Sequence, residues 1–429
     1  MADVYKAWWT FLVAIGVAFI YCFLYMWLIK CCASVMVWTS LILIALLIGA
    51  GGYYLFNRKD KYESDSDNYK TNLYAAYGTW GFLGLYILCM LCCCNRIRLA
   101  VAIMEATADF VASNLRVFIL PIISFFVIIV FFAWWVVTAL FVYSVGEPAI
   151  GTGVTANYLP NIVWDQNTRY IWLYHVFGCL WFIWFIVGCT QFVIATMAAT
   201  WYFTHDSDSK GSASVCKGIC WLCRYHAGSI AFGSLIIAIV TAIKIAFEYY
   251  RKQYEKMLGK NNPLTKFIVC CTRYIISCLD RCIKFITKNA YIQVVLRNKS
   301  FCPGAWTAFL LILKNAGRFA VLTSIGGIFQ ILGRLLILSA TVLTGYVVIE
   351  QLPDVIGELY SPLGPLIVYG LVAWVIAACF LAIYSFASDV ILQCFLLDEE
   401  LAGAGKTGPH RPKSLEKFAG LSHGNSCCC

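Results

Sequence analysis

Six stretches of this chain run for more than 20 residues without a single Asp, Glu, Lys or Arg: residues 8–29, 33–56, 71–94, 117–146, 170–204 and 359–388. A hydrocarbon core about 30 Å thick is crossed by roughly 20 apolar residues in helical form, because backbone amides left unpaired there are too costly. Two further stretches are long enough but carry charge: 227–250 with Lys244 and Glu248, and 319–349 with Arg334. The expected fold class is therefore all-α, a polytopic helical membrane protein with about eight to nine transmembrane helices. Residues 1–400 read as one membrane domain and 401–429 as a cytoplasmic tail. The first apolar run starts at Trp8 and lacks a small-residue cleavage site, so it reads as a retained helix.

Charge is concentrated rather than spread. The net charge is +10, yet residues 251–300 alone hold eleven Lys or Arg against two acids. A basic stretch beside a membrane faces anionic cytoplasmic lipid, and no nucleic-acid motif accompanies it, so membrane lipids are expected partners and nucleic acid is not. The same region mixes basic and apolar residues at helical spacing, as in Tyr274, Ile275, Cys278, Cys282 and Phe285, which fits an interfacial helix or a ninth crossing within 267–297. Lys and Arg counts favour eight crossings with both ends inside. A ninth crossing turns the amino terminus outward and keeps the cysteine clusters on the reducing side, and the reading leans that way. Residues 95–116, with Arg96, Arg98, Glu105 and Asp109 among apolar neighbours, suggest an amphipathic helix lying in the interface.

The 22 cysteines gather at helix ends, as at Cys31 and Cys32, Cys92 to Cys94, and Cys427 to Cys429. Adjacent thiols do not meet disulfide geometry with one another, so these read as reduced. Cys427, Cys428 and Cys429 are the expected lipidation sites, although they do not form a CaaX box. Cys216, Cys220, Cys223 and His226 lack the spacing and the second ligand pair of a zinc module, and no metal site is expected.

No metalloprotease helix, nucleophile elbow or phosphate-binding loop occurs, so no catalytic residue, no cofactor and no enzyme activity is expected. Aromatic residues make up 16% of the chain and several fall in mid-span. Most serve as belt residues, but ring faces also attract a quaternary ammonium, which has no proton to donate. Polar groups inside spans are the other candidates: His175, Gln191, Lys244 with Glu248 at i to i+4, Glu350 next to Tyr346, and Asp389, read as a cap after the last span.

Several stretches in order along the chain resemble the choline transporter-like family. They include Asn95 to Leu99 (NRIRL), Tyr174 with His175, Gly178 and Trp181, and Tyr225 to Ile237 (YHAGSIAFGSLII). Asn289 to Tyr291, Ser300 to Cys302, and Ser388 to Glu400 (SDVILQCFLLDEE) continue the series. Members of that family are usually longer, with an additional first helix and a large outer domain that this chain is expected to lack. The resemblance implies movement of choline or a related aminoalcohol such as ethanolamine, without ATP, by a transporter of the plasma membrane, with an organelle membrane (the mitochondrial one included) as alternative.

On position and chemistry, the candidate cation cage is Trp181, Trp184, Tyr174, Trp134 and Tyr143, with Glu350 and Tyr346 as a second site. Transport by alternating access is the expected mechanism. The rival is an accessory or structural membrane subunit that has lost transport and associates with a larger assembly.

Overall fold

The computed structural model describes residues 10–62, 66–148, 162–204, 214–258, 263–351 and 361–403, together with Pro412 and Leu415. The lipidation candidates Cys427, Cys428 and Cys429 lie outside the described residues. Among the described residues seven helices are long and apolar enough to cross a membrane. The chain contacts divide into two compact units: residues 1–115, 201–211 and 314–429 form the first, and 116–200 with 212–313 the second.

The first unit is built on α1 (Thr10–Lys59), α2 (Asp67–Ser113), α9 (Ala316–Gln351) and α10 (Leu363–Ala402). The expected spans 8–29 and 33–56 fall on one helix, α1, interrupted at Cys32 by non-helical dihedrals (φ −132°, ψ 18°). Fifty residues of straight helix would measure about 75 Å against a core of about 30 Å. The break stands where Lys30 interrupts the hydropathy. Ser66 caps α2 by accepting from the Tyr69 amide, a bond that satisfies one of the orphan donors of the first turn.

Residues 95–113 correct the interfacial reading. They continue α2 into the core of the unit, where Ile103, Met104 and Phe110 are fully buried. The charge that suggested a headgroup-facing side is used within the protein: Asp109 pairs with Lys30 at 2.9 Å. Asp389 is likewise no cap, since α10 runs past it to Ala402 and the residue is buried.

Buried tyrosines tie this unit together. Tyr25 Oη donates to the Phe329 carbonyl at 2.7 Å, Tyr384 Oη to Met104 at 2.6 Å, and Tyr369 Oη to Thr10 at 2.9 Å. Each ring buries apolar area while its hydroxyl finds a main-chain acceptor. Arg318 and Glu399 join α9 to α10 at 2.7 Å.

Gly345 shows how tightly these rings seat. A Cβ there would run into the Tyr369 ring, which its hydroxyl bond holds in place. Gly345→Ala is expected to cost about 1–3 kcal/mol through overpacking. Gly327→Ala on the same helix meets nothing within 4 Å and should hold or raise stability, because Ala is the better helix former by up to about 1 kcal/mol. Thermal midpoints of the two purified variants check the contrast.

The second unit comprises α3 (Ile119–Ser144), a pair of two-residue antiparallel strands (β1, Glu147–Pro148, and β2, Ile162–Val163), most of α4 (Gln166–Thr204), α5 (Val215–Trp221), a π turn (Leu222–His226), α6 (Ala227–Leu258), α7 (Pro263–Arg297) and α8 (Phe301–Lys314). The strands pair the two ends of the α3–α4 connection.

Helices α3 and α4 are joined by two side-chain links. Ser124 and Thr190 hydroxyls meet at 2.6 Å. Trp135 Nε1 donates to the His175 carbonyl and His175 Nε2 to the Trp135 carbonyl, each at 3.1 Å. A carbonyl can only accept, so that pair fixes the proton on Nε2.

Helix α7 is not among the seven apolar helices, but it runs antiparallel to α6 along its length. Glu248 meets Arg273 at 2.9 Å near one end and Tyr291 Oη donates to the Ile230 carbonyl at 3.1 Å near the other. The expected Lys244–Glu248 pair does not form. Glu248 takes Arg251 and Arg273, while Lys244 reaches across to Asp280.

Candidate substrate site

Two side-chain groups in the second unit bear on cation recognition. The first is aromatic. Trp135 lies parallel to the His175 ring at 4.9 Å and 4°, Trp172 stands 6.2 Å from His175, Trp164 5.4 Å from Trp172, and Tyr143 edge-on to Trp164 at 5.8 Å. These rings touch one another. A cation held within about 6 Å of two opposed centroids needs them roughly 9–12 Å apart, so the group is a packed cluster rather than an open cage.

The second group is ionic. Asp280 on α7 is 3% exposed. Lys244 of α6 donates to its Oδ2 at 2.9 Å, and Lys284, one turn further along α7, pairs with Oδ1 at 2.7 Å. Oδ1 accepts no hydrogen bond with proper geometry, so the Lys284 contact is electrostatic. The same ammonium stands 4.8 Å from the ring centroid of Trp184 on α4. One cation therefore sits between a buried carboxylate and an indole face.

The residues expected from sequence are dispersed. Trp184 faces Lys284. Trp181 spends its Nε1–H on the Ala231 carbonyl at 3.0 Å. Trp134 is 60% exposed and rests on Phe131, whereas its neighbour Trp135 enters the aromatic cluster with Tyr143. Tyr174 points outward at 78% exposure. Glu350 and Tyr346 are exposed on α9 and belong to the first unit. Sequence reasoning missed Asp280, although it is one of only two acids among residues 251–300 and stands four residues before Lys284. Among the described residues no three His, Cys, Asp or Glu side chains gather where they could hold a metal ion.

Comparison with known proteins places this arrangement. The family model described as plasma-membrane choline transporter matches residues 77–400, which contain every residue of both groups. The chain belongs to the choline transporter-like family. Choline transporter-like protein 2 of Dictyostelium discoideum is 32% identical over 351 residues, covering 80% of this chain and 54% of that protein. Choline transporter-like protein 1 of Mus musculus is 29% identical over 389 residues, covering 86% and 57%. Choline transporter-like protein 4 of Homo sapiens is 26% identical over 476 residues, covering 97% and 67%. This family member thus spans little more than half the length of the first two.

Proposed function

We propose that this membrane protein carries choline or a related organic cation, ethanolamine included, across the plasma membrane without ATP and by alternating access. The observation that carries the reading is the ammonium of Lys284 held between Asp280 and Trp184. A quaternary ammonium cannot donate a hydrogen bond, so a site for it must rely on Coulomb attraction and on the negative face of a ring. Asp280 and Trp184 supply those two features. The substrate ammonium would take the position that Lys284 fills, while Lys244 stays on the carboxylate whichever cation is there.

Charged groups at membrane depth are rare and mark transport paths. Helix α7 keeps company with α6 along its length, and in this reading it crosses beside α6, with Arg273, Asp280 and Lys284 answered by Glu248, Lys244 and Trp184. Family membership supports the choline-type function.

Uptake of labelled choline into proteoliposomes carrying the full chain tests the reading. Saturable uptake, inhibited by unlabelled choline and more weakly by ethanolamine, is expected. Uptake no faster than into empty liposomes, from protein with a cooperative thermal transition, would replace transport with the accessory-subunit reading.

A further inference from the structure

We infer that the second unit carries a separate binding site at the head of α6 for a phosphocholine-type zwitterion, a quaternary ammonium joined to a phosphodiester. The site is a cavity of about 310 Å³, within the usual size range of small-ligand pockets. Phe192, Trp221 and Tyr225 give it aromatic walls, and His226 and Asn298 its polar floor.

Two backbone features border it. The chain enters α6 through a π turn, Leu222–His226, a widened turn that is frequent at functional sites. Opposite it, Asn298 is the one non-glycine residue with positive φ (50°) among the described residues, and it lines the cavity together with His226. Asn298 directly follows the last residue of α7, where asparagine is one of the residues that take this left-handed conformation to end a helix. The imidazole lines the cavity 5.2 Å from the Phe192 ring.

The charge pattern selects the ligand. Among the described residues the lining contains no carboxylate, so there a bare cation would find ring faces but no counter-charge. The rim instead carries two exposed cations, Lys217 at 5.3 Å over Trp221 and Arg224 at 5.5 Å over Tyr225. A ligand with methylated ammonium for the rings and its own phosphate for Lys217 and Arg224 satisfies both. Trp221 and Tyr225 directly precede the apolar span, the level at which aromatic belts meet lipid headgroups. The same chemistry occurs in the headgroup of a bilayer lipid and in soluble glycerophosphocholine.

The purified full chain is tested with glycerophosphocholine by thermal shift, and its lipid adducts are read by native mass spectrometry after release from nanodiscs of mixed phosphatidylcholine and phosphatidylglycerol. Glycerophosphocholine at saturating concentration should raise the thermal midpoint by on the order of 2 °C. The shift should vanish in Tyr225→Ala and in Lys217→Gln/Arg224→Gln, all exposed positions whose change leaves the fold intact. Retained phosphatidylcholine that both variants lose identifies the bilayer as the source. The soluble shift without retained lipid identifies the free diester. No shift in the unaltered protein, or one undiminished in both variants, overturns the site. A choline response through Asp280 and Trp184 would persist in these variants, so the two sites fail separately.

Discussion

Asp280→Asn is expected to abolish choline uptake and to lower stability by on the order of 3 kcal/mol. The carboxylate is buried and answers two lysines, Lys244 at 2.9 Å and Lys284 at 2.7 Å. Removing its charge strands both ammonium groups, and breaking a buried pair by removing one partner costs about 3–5 kcal/mol. The lower end applies because the lysine side chains are 40% and 33% exposed and can extend towards water. A thermal melt measures that loss, but a misfolded variant says nothing about transport. The apolar triple variant Lys244→Met/Asp280→Leu/Lys284→Met separates the two effects. It removes all three charges together, a change that is commonly neutral or stabilising. It should melt close to the unaltered protein and still show no saturable uptake. Uptake by the triple variant would mean that the carboxylate does not receive the substrate cation.

How this site was hidden in the sequence follows from what hydropathy can see. The apolar helices were legible because long stretches of them carry no charge. The joining of 8–29 and 33–56 into α1 was not, because Lys30 lowers the hydropathy there while a helical backbone continues to Cys32. Residues 95–113 were misplaced because alternating charge and apolar residues look alike whether the charge faces headgroups or, as with Asp109, a lysine on another helix. Trp134 and Trp135 are adjacent, and periodicity alone does not decide which of them turns towards His175. Lys244 was assigned to Glu248 because i to i+4 partners are visible in one dimension. Its partner Asp280 lies 36 residues away, and only the antiparallel run of α7 along α6 brings it within reach. Trp184 was legible as a candidate ring, but not the ammonium that covers it.

Trp184→Leu should raise the KM for choline while leaving the thermal midpoint nearly unchanged. A cation on an indole face gains about 0.5–1 kcal/mol when exposed and about 2 kcal/mol when desolvated. With every tenfold worth about 1.4 kcal/mol, the expected rise is roughly 3- to 30-fold. Leucine keeps much of the apolar volume, and Trp184→Phe, which keeps a weaker ring face, should fall between. Tyr174→Ala is the matched control, since that ring is exposed. Lys284→Met should move KM the other way. In the ligand-free protein the lysine ammonium occupies the contact with both Trp184 and Asp280, and a substrate must displace it. Without that tethered competitor the same ring and carboxylate are open to choline, Lys244 still holding the carboxylate at 2.9 Å. Lys284→Arg, which keeps a cation in reach of both groups, should leave KM near its original value. If Lys284→Met and Trp184→Leu shift KM in the same direction, the lysine is part of the binding surface rather than a stand-in for the substrate.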